Sequence, residues 1–353
     1  MPTSTSAKGR KQERNRHRAR GELACPRQSH GTWKVAKITS LWRTTPPAIF
    51  PICLGLMGLG LGWRNASDHL PVAEEFGGLL LGLAAAFFVF FLTSYLCKMA
   101  ARPAVLFEDM TNPAARAGVA AAAMSMILLA AALLPFGISV PQVWWTGVIL
   151  QIGASAVVCY AIRTDPPERR QFTPYQYLTF VGPVIGPVAG IPLGYVIESI
   201  VLILAALVAY CVITVGYAIR LTRLRPPLHL RPSLVIFLAP NCLFAIGFGL
   251  LEINWAFYIF FWVANVSALI LLLLTPWLIK GGWSAVWSSF TFPTAAFLHV
   301  QVMAVAKGGG VWATAGVYAG LVVITPLILI ISYRFVMLWV TGELVEQTGA
   351  AKA

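Results

Sequence analysis

Charge is what this 353-residue chain has least of: only 11% of its residues are Asp, Glu, Lys or Arg, less than half the share of an ordinary soluble domain. Acids are scarcer than bases, 13 against 26, for a formal net charge of +13. So little charge beside 58% hydrophobic residues excludes a water-soluble enzyme, a nucleic-acid-binding module and a disordered protein. Cysteine is equally uninformative. Cys25, Cys53, Cys97, Cys159, Cys211 and Cys242 stand far apart, with no C-x-x-C pair and no Cys/His cluster, so neither a disulfide framework nor a zinc site is indicated. What remains is a polytopic membrane protein.

A bilayer core about 30 Å thick needs roughly 20 apolar residues per helix. That window finds ten spans, at 47–63, 76–97, 117–134, 140–162, 175–193, 195–219, 234–251, 255–278, 286–306 and 312–333. The division between the fifth and sixth falls at Gly194. The runs are continuous rather than alternating, which excludes a β-barrel. With the N-terminus inside, every Lys and Arg except Arg64 and Lys307 falls in the tail or in inner loops, as the positive-inside rule requires. The expected organisation is a basic cytoplasmic tail over 1–46, a ten-helix domain over 47–339 and a short cytoplasmic tail over 340–353. The basic tail reads as a segment held near anionic lipid, not as a nucleic-acid site.

Within the spans Glu198 is the one acid and His299 the one histidine. Intramembrane charge usually marks a relay or a reaction centre, so its scarcity argues against catalysis, metal binding and a cofactor, and for passage. Prolines add a clue. Pro51, Pro183, Pro187, Pro192, Pro240 and Pro293 lie in odd-numbered spans, where each removes a backbone bond and bends the axis. Bent odd helices inside a ring of straighter even ones suit a central lumen. Gly182, Gly186 and Gly190 recur every four residues and form one smooth face, which packs or lines a pore.

The ninth span carries the sharpest constellation, Trp287-Ser288-Ser289-Phe290-Thr291-Phe292-Pro293. On a helix Phe292 shares a face with Ser288, Ser289, Ala295, Ala296 and His299. One bulky ring among small and hydroxyl-bearing side chains is what a hydrophobic constriction in a wet conduit needs.

Several segments then look familiar: Pro47-Ala48-Ile49-Phe50-Pro51 with Leu54-Gly55-Leu56, Asn112-Pro113, Phe172-Thr173-Pro174-Tyr175, Arg231-Pro232-Ser233-Leu234 leading to Leu238-Ala239-Pro240, and Phe290-Thr291-Phe292-Pro293. Over residues 45–340 the chain resembles the tellurite-resistance/dicarboxylate transporter family, which includes TehA-type proteins and plant slow anion channels. The resemblance implies an all-α fold of five helical hairpins, with odd helices around a central pore in each subunit of a homotrimer. It places a pore gate at Phe292, or at Phe290 if the register slips. Phe50, Gly182, Gly186, Pro240, Ser288, Ser289 and His299 are candidate lining residues. Thr179 and Asn241 depart from the family's pattern. The implied activity is an anion channel or facilitator, or else a secondary carrier for C4-dicarboxylate, tellurite, sulfite or similar oxyanions. Its partners are small anions and the lipid bilayer of the cell membrane.

Overall fold

The computed structural model describes residues 38–164 and 172–352. Most of the basic tail, from residue 1 to 37, lies outside the described residues, as do Arg169 and Arg170. Among the described residues every regular element is helical. Among the described residues nine helices are long and apolar enough to cross a membrane. In chain order, α1 is Phe50–Ser67, α2 Glu74–Ala101, α3 Pro113–Leu133 and α4 Pro141–Thr164. The fifth expected span is shorter and broken: α5, Tyr177–Gly190, passes from a π turn through a 3₁₀ turn into α-helix. Then follow α6 Val196–Arg223, α7 Leu238–Leu250, α8 Asn254–Leu278, α9 Thr291–Ala306 and α10 Gly310–Thr341. Between α5 and α6 the chain turns through Gly194, whose φ of 90° suits glycine alone.

Burial separates two classes of helix. Between 67 and 78% of the apolar window is buried in the spans of α1, α3, α7 and α9, against 11 to 44% in those of α2, α4, α6, α8 and α10. The contacts explain the split. Helix α1 touches α3, α3 touches α5, α5 touches α7, α7 touches α9, and α9 returns to α1. Each even-numbered helix packs on the odd one that precedes it. The outer helices turn side chains such as Leu79, Ile149, Val208, Leu273 and Val322 outward, the surface that acyl chains solvate. Close approach within the inner circuit depends on small residues. A Cβ on Gly55 of α1 would lie 2.5 Å from Thr291 Cβ, and one on Gly118 of α3 would lie 2.4 Å from the Pro47 carbonyl oxygen.

The broken α5 survives because α4 satisfies its backbone. Pro183 has no N–H, so the Thr179 carbonyl four residues earlier loses its helical donor. The buried Gln151 of α4 donates through Nε2 to the carbonyls of both Leu178 and Thr179, 2.9 Å each. Ser155 adds a 2.7 Å bond to the Thr179 carbonyl, and Trp144 Nε1 reaches the Gly186 carbonyl at 2.9 Å. In a bilayer such groups have no water to turn to. Gln151→Leu leaves the Leu178 carbonyl without that donor and is expected to lower stability by about 1–3 kcal/mol, read as a fall in melting temperature in detergent.

The face at which the odd helices begin is also where α10 ends, and its loops are tied by polar groups. Lys98, which the sequence places in a loop, is the buried last turn of α2. Its Nζ donates to the Thr45 carbonyl at 3.0 Å and lies 4.0 Å from Asp109 Oδ2. After α10 the chain forms one more short helix, Glu343–Thr348, and returns to this cluster, where the Ala351 amide donates to Asp109 Oδ1 at 2.9 Å.

Candidate functional site

The four long inner helices begin around one cavity, and a proline marks each beginning. Pro51 is the second residue of α1, Pro113 the first of α3, Pro240 the third of α7 and Pro293 the third of α9. The sequence expects Pro51, Pro240 and Pro293 to bend helix interiors. Pro113 stands in a first turn, where a missing N–H sacrifices little, whereas the other three lie inside continuous helical spans. Ahead of three of them runs a tighter 3₁₀ lead: Pro47–Ile49, Leu228–Phe237 and Ala285–Phe290. In each of these three spans the helix type changes beside the proline.

All four prolines line the cavity, which holds about 400 Å³. That is room for roughly a dozen waters at liquid density. Its rim includes the exposed Pro113, His229 and Gln347, and its floor the buried Met124, Val181, Leu243 and Phe292. Among the described residues no Asp, Glu, Lys or Arg lines it. A second cavity of about 20 Å³ lies among Gly58, Leu128, Ile185, Val188, Leu243, Ile246, Phe292, Ala296 and His299, large enough for about one water. Phe292 and Leu243 line both. The wide space and the narrow one therefore meet at the Phe292 ring.

The ring owes its seat to its neighbours. A Cβ on Gly58 of α1 would touch the ring, 3.8 Å from Phe292 Cδ2, and would crowd Ala295 Cβ at 3.1 Å. Thr291 Oγ1 donates to the Pro51 carbonyl at 3.0 Å and pins the first turn of α9 to that of α1.

The structure brings Pro240, Gly182, Ser288 and Ser289 to the wide cavity and His299 to the narrow one. It does not bring Phe50 or Gly186 to either. Phe50 is fully buried and meets Phe88 and Tyr95 of α2 edge-on, with centroids 6.2 and 5.8 Å away. Gly186 faces Leu202 of α6, and Gly190 faces Ser199 and Trp144. The smooth glycine face of α5 thus packs against outer helices, and only its first member also reaches the cavity. Phe290 lines neither cavity and lies against Trp287, with centroids 5.5 Å apart. Of the departures noted in the sequence, Asn241 cross-links helices, accepting from Tyr210 at 2.8 Å and donating to the Phe237 carbonyl at 3.1 Å.

Sequence reasoning missed Leu243, the apolar partner of Phe292, since a leucine in an apolar run carries no mark. It also missed Gln347 and Thr348, which bring the C-terminal segment to the rim. There Asn112 Nδ2 holds the Thr348 carbonyl at 2.8 Å while Asn112 Oδ1 caps α3 at the Ala114 amide, 3.0 Å away.

Among the described residues no group of three or more His, Cys, Asp or Glu side chains could hold a metal ion. No curated protein matches the chain. The profile of the family described as voltage-dependent anion channel matches residues 44–339, which takes in every inner helix, all of the narrow cavity's lining and all of the wide cavity's except Gln347 and Thr348. The chain belongs to that family.

Proposed function

We propose that the protein is a passive anion channel in which α1, α3, α5, α7 and α9 surround a conduit and Phe292 closes it. On this reading the broken α5 is a tenth crossing and the helices form five hairpins, with both termini on the cytoplasmic side. The observation that carries it is the shared wall: one ring lines the wide cavity of about 400 Å³ on one side and the narrow one of about 20 Å³ on the other. A buried ring at such a junction excludes hydrated ions and admits them when it moves.

Anion preference has a physical source although no fixed cation among the described residues lines the wide cavity. The four long inner helices, with their 3₁₀ leads, all begin at its wall, at Ala48, Pro113, His229 and Ala285. A helix start carries roughly half a positive charge, so four of them supply on the order of two. That potential repels cations and needs no titratable group. It also favours a small monovalent anion, because the desolvation penalty of a dianion grows with the square of its charge while no guanidinium or ammonium offsets it.

Ion substitution in proteoliposomes tests this reading. Chloride or nitrate flux is expected to exceed that of a C4-dicarboxylate or sulfite, and to run down its gradient without a proton gradient. Saturating flux driven by an imposed pH step would make the protein a carrier instead. Both cavities lie within one chain, so a homotrimer would hold three conduits.

A further inference from the structure

From Ser288 to Thr294, at the start of α9, every hydroxyl but one is engaged. Ser288 Oγ donates to the Ala285 carbonyl at 3.1 Å, Thr291 Oγ1 to the carbonyls of Ser288 and Pro51 at 2.8 and 3.0 Å, and Thr294 Oγ1 to the Phe290 carbonyl at 2.7 Å. Ser289 is the exception. It lines the wide cavity at 7% exposure, and its hydroxyl has no hydrogen-bond partner among the described residues. The hydroxyl is therefore free to donate to a group that enters the cavity.

Beyond Phe292 the same helix face presents His299, at 8% exposure, to the narrow cavity. Its Nε2 lies 2.7 Å from Asn65 Nδ2. An amide nitrogen only donates, so Nε2 accepts and the ring proton of the neutral imidazole sits on Nδ1. That N–H also has no partner among the described residues. Ser289, Phe292, Ala296 and His299 follow at intervals of three, four and three residues, so donor, ring and donor stand on one helical face. The two donors are on the order of 15 Å apart along the axis.

We propose that the Ser289 hydroxyl and the His299 Nδ1–H hold a partly dehydrated anion in turn, one before and one after it passes the Phe292 ring. The inference rests on reading the two cavities as one conduit. Both groups are hydrogen-bond donors, and the Asn65 amide turns the acceptor nitrogen of His299 away from the anion. In the wide cavity the helix starts add to what Ser289 does. In the narrow one, where the space fits about one water, the imidazole N–H replaces water that the anion has left behind.

The test uses the full chain in proteoliposomes carrying Phe292→Ala, so that the ring does not mask the donors. Chloride flux is followed as concentration is raised from each side in turn. Removing a donor from a charged partner is expected to raise the half-saturating concentration about tenfold. Ser289→Ala should do so from the side of the wide cavity, and His299→Ala from the side of the narrow one. Ser289→Thr and His299→Gln keep a donor and should restore saturation. Thr294→Ala, on the same helix outside both cavities, should leave flux unchanged. If Ser289→Ala does not fold, Ser289→Cys carries the same expected direction as a weaker donor of similar size. Flux that saturates at the parent concentration in folded Ser289 and His299 variants overturns the donor inference and leaves the conduit standing. Absence of anion flux in the Phe292→Ala parent overturns the conduit itself.

Discussion

Phe292→Ala is expected to raise anion flux in reconstituted vesicles by about ten- to a hundredfold. The range follows from what holds the ring in place. Phe292 is 6% exposed and packs among residues of α1, α7 and α9. Swinging a buried aromatic out of contact forfeits on the order of 1.5–3 kcal/mol, which leaves an open fraction of about one in ten to one in a hundred. Truncation removes that penalty from every crossing. Phe292→Leu, which keeps an apolar plug of smaller girth, should fall between. Gly58→Val should act in the opposite direction, since its Cβ would stand 3.8 Å from the ring and 3.1 Å from Ala295 Cβ. In a Phe292→Ala background, valine at position 58 refills part of the vacated space and lowers the flux again. A folded Phe292→Ala protein that conducts no faster than its parent would show that the ring is packing and not a gate.

The elements that sequence reading placed well are those whose signal is periodic or local. The grouping of Ser289, Phe292, Ala296 and His299 is fixed by helical spacing, and the cavities receive them as a set. Prolines marked the first, fifth, seventh and ninth spans but not the third, whose Pro113 stands at the helix start; Pro51, Pro240 and Pro293 lie where a 3₁₀ lead passes into α-helix within one span. Rotation about a helix axis was harder to read. Nearly all of α1 is apolar and buried, so no stripe tells which face meets α2, and Phe50 proves to lie there. Side-chain partners at long separation were invisible. Gln151 stands out as a lone amide in an apolar run, but its acceptors are 27 and 28 residues away. Lys98 was read as a loop residue because one ammonium at the end of a run lowers hydropathy. Whether it points to water depends on a loop and a C-terminal segment that no window spans.

That cluster supports the largest expected effect on stability: Asp109→Ala should cost about 3–5 kcal/mol. Both side chains of the Lys98–Asp109 pair are fully buried. Asp109 Oδ2 also accepts from the Tyr95 hydroxyl at 3.0 Å, and Oδ1 from the Ala351 amide at 2.9 Å. Burial pushes the Asp109 carboxyl above its ordinary value, while the Ala351 amide, the Lys98 ammonium and the Tyr95 hydroxyl each pull it back. Alanine strands all three donors at once, and a buried ammonium without its counter-charge is the heaviest loss. The separate penalties do not add, since the groups share one site. Asp109→Asn keeps the shape and an acceptor, so it should lose less. The double variant Lys98→Met with Asp109→Leu replaces the pair by apolar side chains and should recover most of the deficit. Melting in detergent, followed by size-exclusion recovery after heating, ranks the four proteins. The same substitution frees Ala351, which lies three residues beyond the Thr348 carbonyl that Asn112 holds at the cavity rim. The surviving folded fraction should therefore conduct no less than its parent, because the change loosens the mouth and leaves the Phe292 junction intact. A melting temperature equal to that of the parent would mean that the cluster does not hold this face together.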